Sequence, residues 1–128
     1  MNRILLRSPK EPFDVVAPEK VAVDNLIGSN TGNLLFLEAA YKLLATRDVA
    51  VEVDRFRVHE MGADEINDRF DAYVIPLANG FRVSFMDGLD RVTPVLRKLK
   101  IPVILLGAGL QAKLPYRSGV MRPQVESV

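Results

Sequence analysis

An α/β protein with a parallel sheet covered by helices on both faces is the fold this sequence predicts, and three observations carry the prediction. Short apolar runs alternate with helical patterns along the 128-residue chain, the order expected of successive βαβ units. The last two runs, Ala72–Leu77 and Ile101–Leu106, are continuously apolar, as strands are when both of their faces are covered. The segments Gly28–Asn33, Leu77–Arg82 and Gly107–Gln111 are all rich in Gly, Asn or Gln, as ligand loops at the carboxyl ends of such strands would be. With right-handed crossovers these features make an open Rossmann-like sheet over residues 1–111. The remaining residues, 112–128, hold two prolines and little periodicity and read as a tail.

Taken in order, Ile4-Leu5-Leu6 is the first candidate strand, and Pro9, Pro12 and Pro18 among charges make residues 9–20 a loop. Val21–Ile27 competes with Ile4–Leu6 for the place of first sheet strand, and the pattern alone does not choose. Gly28–Asn33 then feeds a helix that runs to about Thr46. Leu34, Leu37, Tyr41 and Leu44 form one face of it, and Leu35, Ala39 and Leu43 form a second apolar stripe, so the helix is expected to be covered on most sides. Glu38 and Lys42, four apart in the favourable order, mark its wet edge. Val49–Phe56 alternates and predicts a strand with one polar face, and Asp64–Phe70 predicts a short helix. Ala72–Leu77 is a strand that ends in a turn at Asn79-Gly80. From Ser84 to Lys100 the chain is helical, with Phe85, Leu89, Val92, Leu96 and Leu99 on one face and Ser84 with Asp87 resembling a capping box. Pro94 predicts a break near Val92, with Thr93 capping a second short helix. Ile101–Leu106 is a buried strand, and Gly107-Ala108-Gly109 turns the chain away from its end.

Composition narrows the function classes. The content is 48% apolar and 26% charged, that of a globular protein, and a formal charge of +1 gives no global attraction to nucleic acid or an acidic membrane. Charge is nonetheless uneven: Asp48–Asp90 holds ten acids against four arginines, whereas seven bases face Glu126 alone from Arg91 onward. No cysteine is present, so disulfides and thiolate metal sites are excluded. The N-terminus has only three apolar residues in a row, too few for a secretory core, and Ile101–Leu110 is about half of a membrane span. No membrane span and a cytoplasmic location are expected.

Among residues able to do chemistry, the Gly28–Asn33 loop stands first. A glycine loop at a helix N-terminus suits phosphate or carboxylate, and it serves equally as a connector whose glycine turns and whose asparagine caps. His59 is the sole histidine and reads as a surface or packing residue; without a second histidine or any cysteine, no transition-metal site is expected. Ser29 has no recognisable histidine–acid pair, and Asp64, Glu65 and Asp68 read as a solvated helix face. Gly107–Ala112 formally fits G-x-G-x-x-A behind a strand, but Pro115 stops the required helix and no later strand carries a ribose-binding acid. A nicotinamide site is therefore not expected, and no cofactor is. Arg82 is the cation nearest a predicted ligand loop.

Three stretches together resemble the polysaccharide pyruvyl transferase family: Asn30-Thr31-Gly32-Asn33 before an apolar helix, Val74–Asn79, and Ile101–Gln111. The resemblance covers about residues 28–111, the N-terminal half of a family member. It implies one of two Rossmann-like domains facing across a cleft, as in one large class of glycosyltransferases (the B-type architecture). It also implies transfer of the pyruvyl group of phosphoenolpyruvate onto two saccharide hydroxyls as a ketal. By the resemblance, Asn30, Gly32 and Asn33 match an Asn-x-Gly-Asp loop, with Asn33 keeping hydrogen bonding where an acid is usual but removing its charge. Asn79, Arg82, Gly107, Gly109 and Gln111 fall in or beside the matching cleft-lining segments. The basic residues that hold phosphoenolpyruvate belong to the C-terminal half of the family pattern. The expectation is therefore a truncated transferase, with a second chain as one possible source of that half. The competing class is a non-enzymatic Rossmann-like binding or interaction module, followed by a nucleotide-binding oxidoreductase domain.

Overall fold

The computed structural model describes residues 2–24, 26, 31–78, 80–81 and 83–109. Four parallel strands, β1 (Asn2–Leu6), β2 (Val49–Val53), β3 (Ala72–Pro76) and β4 (Val103–Leu106), form one sheet in the order β2-β1-β3-β4. The register pairs Leu6 with Val53 and Val74, and Val74 in turn with Ile104. This is the α/β, Rossmann-like sheet that the alternation of runs predicts.

Four helices connect the strands: α1 (Pro18–Val23), α2 (Gly32–Leu44), α3 (Ala63–Arg69) and α4 (Met86–Leu96). Because side chains alternate along a strand, neighbouring residues serve opposite layers. Leu6, Val53 and Val74 meet Ala40, Tyr41 and Leu44 of α2 on one face. Leu5, Tyr73 and Ile75 meet Ile66 of α3, Val92 of α4 and Val58 of a 3₁₀ turn on the other. Leu5, Leu6, Val58, Ile66 and Tyr73 are fully inaccessible to solvent, so the core sits on both sides of the central pair β1 and β3.

The structure corrects six local expectations. Val21–Val23 is helical, not extended: Pro18 opens α1 with its φ preset and Glu19 lies in its first turn, while β1 already has a neighbour on each side. Helix α2 is covered on one side only, since a helix lying on a sheet buries one stripe; Leu37 and Ala40 are buried, but Leu35 and Leu43 are 70% and 77% exposed. Strand β2 ends at Val53, because Asp54 turns inward and Arg55 and Phe56 adopt positive φ. Pro94 lies inside an unbroken α4, where the Thr93 hydroxyl donates to the Leu89 carbonyl at 2.8 Å instead of capping a new helix. The N-terminal flank of α4 is Phe85 with no side-chain cap, so Ser84 and Asp87 do not form the capping box. Lastly, β4 is the outer strand of the sheet, paired with β3 alone among the described strands, and its Ile104 and Leu105 are each 47% exposed rather than buried.

The Glu38–Lys42 pair forms at 2.7 Å, as its spacing predicts. No helix among the described residues is long and apolar enough to cross a membrane.

An internal proline removes one backbone donor from its helix and narrows the unfolded ensemble, two opposing effects. Pro94→Ala is expected to raise stability by about 1–2 kcal/mol, because the recovered helical bond outweighs the lost stiffness. Urea unfolding followed by circular dichroism measures it; a fall in stability would show that the proline's shape is itself required.

Candidate functional site

In an open parallel sheet the helices leave a crevice at the carboxyl edge where the strand order reverses. Here that point lies between β1 and β3, since the chain goes from β1 outward to β2 on one side and to β3 and β4 on the other. The segments leaving these strands begin at Arg7, Asp54, Leu77 and Gly107. All three non-glycine residues with positive φ lie there among the described residues: Arg55 at 50°, Phe56 at 58° and Ala78 at 45°. Each costs on the order of 1–3 kcal/mol, and such strain persists only where surroundings over-determine it, often at binding sites.

The described parts of the three glycine-bearing loops meet at this edge. Gly107 has φ +62°, and a Cβ built on it would lie 2.8 Å from Cζ of Phe36 in the first turns of α2. Glycine is thus required twice over, by conformation and by the ring. The Gly109 N–H donates to the Ala78 carbonyl, tying the loop after β4 to the loop after β3. Gly80 N–H donates to the Leu77 carbonyl at 2.8 Å, and a Cβ there would sit 2.5 Å from Cγ of Leu77. Gly32 and Asn33 open α2, behind Thr31, and are exposed. Of the residues singled out in sequence, Gly32, Asn33, Gly107 and Gly109 are described on this one edge; Ser29, Asn30, Asn79, Arg82 and Gln111 lie outside the described residues. Beside the first turns of α2, Ser8, Lys10, Pro12, Leu34, Leu37 and Glu38 line a cleft of about 80 Å³. The Lys10 ammonium there is spent on the carbonyls of Glu11, Pro12 and Asp14, at 2.8–3.3 Å.

Sequence reading missed the polar centre of the edge. The side chain of Asp54 is wholly buried and accepts four hydrogen bonds. Its Oδ1 takes the Ser8 N–H at 3.1 Å and the Phe56 N–H at 2.9 Å. Its Oδ2 takes Arg7 Nη1 at 3.1 Å and the Tyr73 hydroxyl at 2.7 Å. A buried carboxylate is costly unless saturated in this manner. The signal existed in sequence only jointly with the pairing: Leu6 and Val53 are in register, so the next residues, Arg7 and Asp54, place opposite charges side by side. Burial, and secondarily the Asp54 charge, push the Tyr73 phenol well above its ordinary value.

His59 lies on the surface beside Glu60, and Asp64, Glu65 and Asp68 are exposed, Glu65 pairing with Arg69. No group of three or more His, Asp or Glu residues among the described ones is placed to hold a metal ion. Compared with models of known protein families, with curated proteins and with solved structures, the chain finds no match.

Two outcomes follow for the Asp54 centre. Asp54→Ala strands the Arg7 guanidinium and is expected to cost about 3–5 kcal/mol in urea unfolding, the range for one-sided removal of a buried ion pair. The raised Tyr73 pKa means the unfolded chain loses the phenol proton first. Its contribution is therefore complete below about pH 10 and is lost as pH rises beyond it. Stability measured from pH 8 to pH 11 should fall less steeply in Tyr73→Phe than in the wild type; identical slopes would refute the assignment.

Proposed function

We propose that this chain supplies one wall of a polysaccharide pyruvyl transferase-like site in the cytoplasm. That site moves the pyruvyl group of phosphoenolpyruvate onto two hydroxyls of a saccharide. In that reaction one hydroxyl adds at C2 while C3 gains a proton and becomes a methyl. The second hydroxyl then displaces phosphate, so a ketal and one phosphate result. The observation that carries the reading is the meeting of the loops after β3 and β4 with the first turns of α2, tied by Gly109 to Ala78 and by Gly107 to Phe36. These are the segments on which the family resemblance rests. Backbone held this rigidly suits recognition of hydroxyl and oxyanion groups, because positioning two substrates supplies much of the rate in such a transfer. The proposed binding residues are Asn30, Gly32, Asn33, Asn79, Arg82, Gly107, Gly109 and Gln111. The resemblance assigns the basic residues that hold phosphoenolpyruvate to a second domain, whether on the same chain or a partner.

A second reading, a Rossmann-like binding module without catalysis, is favoured by one feature of the same edge. Asp54, its buried carboxylate, has four donors around it and serves as an anchor rather than a base.

The test combines the chain with phosphoenolpyruvate and a β-galactoside or mannoside acceptor. A new ketal methyl signal by NMR, with equimolar phosphate release, is the expected result. Saturable shifts of the Gly32, Gly107 and Gly109 amides without ketal would select the binding module, and no shift with either substrate would remove both readings. Gly107→Val, which drives a side chain into Phe36, is expected to weaken acceptor binding by about tenfold or more, a difference of about 1.4 kcal/mol.

A further inference from the structure

The cleft of about 80 Å³ beside α2 lies between the segment leaving β1 and the first turns of that helix. Pro12, Leu34 and Leu37 give it aliphatic walls, and the charged groups that line it, Lys10 and Glu38, are already engaged. The Lys10 ammonium donates to the carbonyls of Glu11, Pro12 and Asp14. Glu38 pairs with Lys42 at 2.7 Å, and Lys42, with a smaller contribution from Lys10, holds its carboxyl below the ordinary range. An anion therefore meets no unengaged ammonium on these walls, and a cation meets no unpaired carboxylate. The remaining polar group is Ser8, which is 4% exposed. Its N–H is held by Asp54 Oδ1 at 3.1 Å, and its hydroxyl donates to the Lys10 carbonyl at 2.8 Å. The hydroxyl proton is thus committed, and what Oγ still offers to the cleft is an acceptor, fixed in place by the Asp54 centre. Volume sets the size of the guest. An apolar cavity of about 150 Å³ takes benzene, so about half of that admits an arm of two or three heavy atoms and excludes a ring.

We propose that this cleft is a subsite for the hydroxymethyl arm of a neutral saccharide, its carbon against Leu34 and Leu37 and its hydroxyl donating to Ser8 Oγ. The subsite rests on the transferase reading for the class of ligand, and on the cleft itself for the size, neutrality and hydrogen-bonding character of the arm. A hydroxyl held there is withdrawn from transfer, so two ring hydroxyls are left as the pair that forms the ketal. The cleft opens at the end of β1, which neighbours β3 in the sheet, and so anchors the sugar at the point where the strand order reverses.

The experiment titrates the ¹⁵N-labelled chain with methyl β-galactoside and, separately, with its 6-deoxy counterpart, which carries a methyl where the galactoside carries the hydroxymethyl arm. Saturable movement of the Ser8, Leu34 and Leu37 amides is expected with the galactoside. The 6-deoxy sugar should bind about three- to tenfold more weakly, the effect of one lost hydrogen bond. Ser8→Ala should bring the galactoside down to the level of the 6-deoxy sugar and leave the latter unchanged. Absence of saturable movement at these amides overturns the proposal, as does equal affinity for the two sugars in the wild-type chain, a comparison that needs no variant to fold. Movement confined to the Gly32, Gly107 and Gly109 amides would overturn the subsite and leave the transferase reading standing. Movement at Ser8 and Leu37 with no ketal formed in the presence of phosphoenolpyruvate would keep the subsite and remove the transferase.

Discussion

A single buried carboxylate holds the carboxyl edge of this protein together. Asp54 gathers donors from the segment after β1, from its own turn after β2 and from the side chain of Tyr73 on β3. Three strands and two connections are thereby tied at one atom pair. Such a centre adds little net stability compared with a well-packed apolar one, since desolvation offsets most of the attraction. What it supplies here is definition: the backbone after β1 and β2 has one conformation in which all four donors are satisfied. The positive φ values of Arg55 and Phe56 are tolerable because that conformation also satisfies the Phe56 N–H.

The other half of the edge is fixed by contact rather than by charge. Gly107 approaches Phe36 so closely that no side chain fits, and the Gly109–Ala78 bond closes the β3 and β4 connections on each other. Helix α2 sits on one layer and α3 with α4 on the other, so the edge is bounded from both sides of the sheet. The carboxyl edge is thus framed by parallel strands and by packing on both layers, and it is the edge at which open α/β sheets place their ligands.

Much of this frame was legible in the residues. Continuous apolar runs at Ala72–Leu77 and Ile101–Leu106 announced parallel strands, and the spacing of Leu37, Tyr41 and Leu44 announced the buried face of α2. What failed did so for identifiable reasons. Val21–Val23 is apolar and β-branched, yet no strand position beside β1 was vacant, and Pro18 had already set a helical turn. The second stripe of α2 promised burial that only another layer could have provided. Pro94 argued for a break, but a helix loses just one bond to a proline, here the one to the Asp90 carbonyl, and α4 runs on through it. Asp54 read as one more polar residue in an alternating strand, because its partners lie 46 or 47 positions away in Ser8 and Arg7. Long-range pairing of that kind has no local signature.

The outermost strand has a consequence for the molecule in solution. Along β4 the backbone groups directed away from β3 meet no further strand among the described residues, and the side chains of Val103, Ile104 and Leu105 carry no charge to discourage a neighbour. An edge of this composition templates the addition of foreign chain. Its reach is short, however, since Pro102 lacks an N–H at one end and Gly107 bends away at the other.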